Sequence, residues 1–97
     1  MRLRISRQAA ADIRAADAWW AANRPAVPEF FRAELRKAFE VLPVRPEIGA
    51  PALDRELQGV RRLLLRSTRY FVYYAVHEGN IEVLRLWQAS RGRRPEL

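Results

Sequence analysis

The chain opens on a strict alternation, Arg2-Leu3-Arg4-Ile5, which predicts a short edge strand with Leu3 and Ile5 facing inward. Ser6 ends it and supplies a side-chain oxygen for a helix N-cap, with Asp12 near the positive end of the helix that follows. From 8 to 23 the period lengthens. Ala9, Ile13, Ala16 and Trp20 recur at helical spacing, and Arg14 and Asp17 fall off that stripe. Asn23-Arg24-Pro25 closes the helix, because Asn accepts the left-handed conformation and proline cannot continue the ladder. A second helix starts between Pro25 and Pro28, takes Glu29 into its first turn, and carries Phe31, Leu35, Ala38, Phe39 and Leu42 as its apolar stripe up to Pro43. So short a connection makes the two helices an antiparallel hairpin with their stripes on a common core.

Pro43, Pro46 and Pro51, with Gly49 and Gly59, mark the next stretch as a loop, with one turn of helix expected near 53–57. The period then becomes that of strands. Segments 60–66, 70–76 and 81–88 are rich in β-branched, aromatic and leucine residues and are separated by Ser67-Thr68 and Glu78-Gly79-Asn80, which predicts a three-stranded antiparallel meander. The order β-α-α-β-β-β is an α+β domain over 1–97, its helical hairpin packed on one face of an antiparallel sheet. The middle strand is apolar on both faces: Tyr70, Val72, Tyr74 and Val76 point one way, Phe71, Tyr73 and Ala75 the other. Two helices cover one face only. Either a partner covers the second, the reading favoured here, or long arginines of neighbouring strands lie over its rings.

Composition narrows the chemistry. At 97 residues and 49% hydrophobic content the chain is one domain that buries roughly 60–70% of its extended surface, with little room for a large catalytic cleft. The absence of cysteine excludes disulfides, thiolate metal sites and a cysteine nucleophile, and one histidine leaves few zinc sites. His77, beside the Glu78-Gly79 turn, reads as solvated, and Ser67 and Ser90 read as turn residues. No phosphate loop, paired helical histidines or G-x-S-x-G motif is present, so neither a cofactor nor a metal is expected. No run of 18 apolar residues suits a membrane span and none near residue 1 resembles a secretory signal, so the expected location is cytoplasmic.

Charge points to a partner. Eighteen basic residues against eleven acidic ones give +7, and Lys37 is the only lysine. Arginine's planar fork suits phosphate and carboxylate, although fifteen alanines show that a GC-rich genome accounts equally well for Arg over Lys. From Arg55 onward nine arginines face four acids; Arg62 and Arg66 share a strand face, and Arg91, Arg93 and Arg94 form a basic tail. Interleaved with Tyr and Trp, such a set could hold a phosphate backbone. Trp19 and Trp20, about 100° apart on a helix, cannot both enter one core, so Trp19 is assigned to a rim or interface.

Strand, helical hairpin, a loop with Pro46-Glu47-Ile48-Gly49, the run Arg69-Tyr70-Phe71-Val72-Tyr73-Tyr74 and a last strand Ile81-Glu82-Val83-Leu84-Arg85-Leu86 before a basic tail together resemble the RelE/ParE superfamily of type II toxin-antitoxin toxins. Ala11-Asp12-Ile13 and Trp19-Trp20 are similar to the ParE branch. The resemblance implies a cognate antitoxin with an acidic C-terminal segment. It would place a helix on the hairpin and an extended segment on the sheet, using Trp19, Trp20, Phe30, Phe31, Arg62, Arg66 and Tyr73. It also implies a target surface, assigned to Arg85, Trp87, Arg91, Arg93 and Arg94.

Two mechanisms divide the superfamily. A RelE-like, metal-independent messenger-RNA endonuclease working on the ribosome would use Arg62, Arg69 and Arg91 with Tyr70 as acid. The same resemblance puts Leu64 and Phe71 where that branch has a lysine and an arginine, and Leu97 near its terminal tyrosine. The expectation is therefore the ParE-like one: a DNA gyrase poison acting by protein binding rather than as an enzyme.

Overall fold

The computed structural model describes residues 1–52 and 58–97; the helical turn expected near 53–57 lies outside them. The elements run β1 (Arg2–Ile5), α1 (Arg7–Asn23), α2 (Glu29–Val41), β2 (Ala50–Pro51), β3 (Val60–Leu65), β4 (Tyr70–His77) and β5 (Asn80–Gln88). The sheet order is β1-β5-β4-β3-β2. The meander and the hairpin stand as expected. Two details differ: β1 joins β5 in parallel, so the sheet is mixed, and the Pro/Gly loop contributes a two-residue strand against Arg61 and Arg62.

Ser6 connects the first two elements. Its backbone N–H extends the β1–β5 ladder to the Val83 carbonyl, while its hydroxyl accepts from Ala9 N at 3.0 Å and donates to the Leu84 carbonyl at 3.0 Å. Asp12 does not act on the helix dipole. It sits in the second turn and faces the sheet, as described below. Asn23 does not turn left-handed either: its side chain donates to the Trp19 carbonyl, and Arg24 follows at φ −134°. α2 opens on Pro28 without a side-chain cap, and Asp17 reaches across the hairpin to Arg32 with two 2.6 Å bonds. That pair holds the Asp17 carboxyl below its ordinary range, chiefly through the guanidinium hydrogen bond.

The core lies between hairpin and sheet. Ala9, Ala16, Phe31, Leu35, Ala38 and Leu42 meet Leu65, Val72, Tyr74, Ile81, Val83 and Leu86. Burying a side chain such as Phe31 or Leu42 completely contributes about 1.5–3 kcal/mol each. Register puts Leu3 and Ile5 on this side, opposite Ile81 and Val83, but at the sheet's margin Ile5 stays exposed. A bulge between Tyr73 and Tyr74 skips Leu84, so β5 changes parity: Ile81 and Val83 face the helices before it, Leu86 after it. Leu84 and Arg85 are thereby both available to the second face.

Two side-chain clamps fix the loops. Tyr74 Oη accepts from Gly49 N at 2.8 Å and donates to the Pro46 carbonyl at 2.7 Å, so Pro46-Glu47-Ile48-Gly49 is held from the core. Burial pushes the Tyr74 phenol above its ordinary pKa. Glu34 of α2 accepts from Ser67 N, Thr68 N and Thr68 Oγ1 at 2.8, 2.9 and 2.6 Å, and so ties the β3–β4 turn to the hairpin. Burial pushes that carboxyl up, but the hydrogen bonds outweigh burial and hold it below its usual value. Strand β3 ends at Leu65, so Arg66 lies in this turn, exposed, rather than on a strand face with Arg62.

Candidate functional site

Cross-strand register builds the second face from three rows. Val60 pairs with Ala75 and Glu82; Arg62 with Tyr73 and Arg85; Leu64 with Phe71 and Trp87. The preference for a partner over this face does not hold. The chain's own arginines and C-terminal tail cover it. Arg62 lies 4.3 Å over the Phe71 ring and Arg91 4.3 Å over Trp87, with Arg85 and Arg93 at 5.3 and 5.9 Å from the same indole. Trp87 Nε1 donates to the Arg93 carbonyl at 2.8 Å, Arg85 donates to the Glu96 carbonyl at 2.9 Å, and Pro95 is fully buried. Guanidinium groups over the rings and one turned-back tail thus replace the missing layer.

Several assigned residues are consequently internal. Tyr73 is 2% exposed and offers no surface to an antitoxin; Phe31, at 0%, packs on Tyr70 at 5.2 Å inside the core and reaches the outside only as part of the lining of a groove between the helices. Trp87 is closed over by arginines. Arg85 grips Asp12: Nε and Nη2 donate to the two carboxylate oxygens at 2.7 and 3.1 Å, and the same carboxylate accepts from Leu86 N at 3.0 Å. β1 pairs with β5 only as far as Val83, so Asp12 occupies the free edge beyond it. The pair raises the Arg85 pKa further, mainly through that hydrogen bond. The role of Asp12 escapes sequence reading, since Asp12 and Arg85 are 73 positions apart and no local pattern joins them.

What remains at the surface is concentrated at one end. Trp19 and Phe30 are about half exposed and flank Trp20, at 5.7 and 6.2 Å between ring centres, as expected for Trp19 at the rim and Trp20 against the core. Beside them two grooves adjoin, of about 250 and 380 Å³, both lined by Trp19, Tyr70 and Gln88. Arg91 lines the first, Arg24 and Arg69 the second. Arg66, Arg91 and Arg93 are exposed, and Arg94 is half-buried. Of the nuclease set, Tyr70, Arg69 and Arg91 line the two adjoining grooves, while Arg62 lies apart on the opposite side of the sheet, over Phe71. His77 is exposed at its turn. Among the described residues no cluster of three metal-ligating side chains occurs, and no helix is long and apolar enough to cross a membrane.

A helical hairpin on one side of a small mixed sheet and an arginine-sealed aromatic face on the other define a compact basic α+β domain. The chain belongs to the ParE toxin family: the family model described as "ParE toxin of type II toxin-antitoxin system, parDE" matches residues 3–92. That match stops short of Arg93, Pro95 and Glu96, which close the second face. Among solved structures the chain is similar to one titled "Chromosomal ParDE TA system from P. aeruginosa", with a TM-score of 0.77 at 23% identity over 93% of this chain and 97% of that one, a likeness of fold. No curated protein sequence matches it.

Proposed function

We propose that this ParE-type toxin acts by binding DNA gyrase without catalysing a reaction, and that a cognate antitoxin with an acidic C-terminal segment neutralises it. The observation that carries the reading is the row Leu64–Phe71–Trp87 across the second face. Cleaving RNA through its 2'-hydroxyl requires cations against the developing phosphorane charge. Here the middle of that face is aromatic and aliphatic. Of the arginines nearest it, Arg62 lies over Phe71 and Arg91 over Trp87, and Arg62 is separated by the sheet from Tyr70.

For the antitoxin, the hairpin supplies an apolar groove of about 420 Å³ between its helices, lined by Ile13, Leu35 and Phe39 among others, and Trp19 and Phe30 are exposed apolar residues elsewhere on the hairpin. An amphipathic helix fits such a groove, and acidic side chains complement the +7 chain. Target contacts then fall to the exposed Arg91 and Arg93 after β5, beside Arg94.

Purified toxin is expected to inhibit gyrase supercoiling at stoichiometric concentration and to be released from doing so by antitoxin. Cleavage of ribosome-bound message, lost in Arg91→Ala, with no effect on gyrase would overturn the proposal in favour of a nuclease.

A further inference from the structure

The groove of about 380 Å³ at the end of the sheet has an unusual lining. It lies between the C-terminal end of α1, the β3–β4 turn and the exit of β5, and none of the described residues lining it is acidic. Arg24 and Arg69 supply two guanidinium forks, Ser67 and Gln88 neutral polar groups, and Trp19 and Tyr70 aromatic walls. Trp20 also lines it, and its indole Nε1 is buried with no acceptor among the described residues. A buried N–H without a partner is rare, because the group has lost water and gained nothing in return. Trp87 shows the ordinary arrangement, its Nε1 satisfied by the Arg93 carbonyl. Arg69 adds a second irregularity: at φ 65° it is one of two non-glycine residues in the left-handed region among those described.

We propose that this groove is a carboxylate subsite for an acidic peptide segment, with Arg24 and Arg69 pairing to its charges and Trp20 Nε1 donating to a carboxylate oxygen. Half-exposed Trp19, edge-on to Trp20, swings aside to admit it. The natural occupant is the acidic antitoxin segment, and in that identity alone the subsite rests on the function proposed above. A nucleic-acid strand fits less well. Strand binding rests on base stacking along a cation track, whereas here two forks flank one buried neutral N–H that a stacked base does not satisfy. A carboxylate matches a fork and a single N–H together.

The three indole N–H resonances of the full, ¹⁵N-labelled chain provide the test, assigned through Trp19→Phe and Trp20→Phe. The probe is an acetylated, amidated hexapeptide of alternating acidic residues and leucine, with its Gln/Asn counterpart as control. The Trp20 resonance is expected to move downfield to saturation, and that of Trp87 to stay still. Arg69→Asn, which keeps a residue tolerant of the left-handed backbone, and Trp20→Phe are each expected to weaken binding about fivefold to tenfold with the circular dichroism spectrum unchanged. A Trp20 resonance that the acidic peptide does not move, or that the neutral peptide moves equally, overturns the proposal. So does an oligothymidylate that moves it at lower concentration than the peptide, which would assign the groove to phosphate. Peptide binding without gyrase inhibition would remove only the proposed function; gyrase inhibition with a silent Trp20 would remove only the subsite.

Discussion

Replacing Asp12 by Asn tests whether Arg85 belongs to the fold or to a binding surface. The carboxylate accepts three hydrogen bonds, two from the Arg85 guanidinium and one from Leu86 N, and both side chains are under one-fifth exposed. Hydrogen bonds to charged groups contribute about 1.5–3 kcal/mol each in favourable settings, and removing one partner of a fully buried pair costs about 3–5 kcal/mol. The remaining access to water lowers that, and Asn keeps one oxygen for Leu86 N while aiming an amide N–H₂ near the guanidinium. The expected loss is about 2 kcal/mol, which in a domain of this size lowers the melting temperature by roughly 8–16 °C. Urea unfolding of wild type, Asp12→Asn, Arg85→Met and the double variant closes a cycle. The pair should couple by about 1–2 kcal/mol, since the double variant leaves no charge stranded. A loss below about 0.5 kcal/mol for Asp12→Asn, or single effects that merely add, would refute the assignment and return Arg85 to the exposed arginines.

Two further expectations follow from the loop clamps. Glu34 has its folded pKa held below its unfolded one, so its contribution is fully present above the ordinary glutamate range and is lost as pH falls through the folded value. The stability gap between wild type and Glu34→Gln, followed by urea unfolding from pH 7 to pH 3, should therefore be constant down to about pH 5 and then narrow; a gap that widens on acidification would contradict the clamp. Gly49→Ala would place a Cβ 2.6 Å from Tyr74 Oη and 2.9 Å from the Arg62 carbonyl, so it should cost about 1–3 kcal/mol in thermal unfolding. Tyr74→Phe in the Gly49→Ala background should then cost less than Tyr74→Phe alone, because the nearest crowding atom is gone, although the ring Cε1, 2.7 Å from the added Cβ, stays.

Where periodicity alone decides, the sequence was readable. The stripes on α1 and α2, the Ser6 cap and the three meander strands are set by contacts within a few residues, and their spacing announces them. The parallel pairing of β1 was not, because alternation predicts a strand without its neighbour. Nor was the change of parity in β5, which comes from one bulged residue, Leu84, inside an otherwise regular apolar run. The family resemblance gave Phe31 and Tyr73 to the antitoxin surface, yet the ring area of an aromatic residue also makes it good core material, and both are buried. Asp12 and Glu34 were invisible as anchors, since each meets backbone or side chains more than thirty positions away.

The second face carries the broadest consequence. Both explanations open at the sequence level predict the same aromatic composition, and only coordinates distinguish a face that awaits a layer from one that makes its own. Here four arginines gather on the second-face rings and the tail turns back over it, so a large part of the basic excess serves as a lid. Arg32 and Arg61 are likewise engaged within the chain, with Asp17 and with the carbonyls of Glu47 and Gly49. The +7 charge therefore overstates the electrostatic surface open to a partner. On the function proposed above, neutralisation needs a segment that supplies carboxylates locally, around Trp19, Arg24 and Arg69, rather than one that covers the whole sheet. Contact with the second face would have to displace Pro95 and the Trp87–Arg93 bond first.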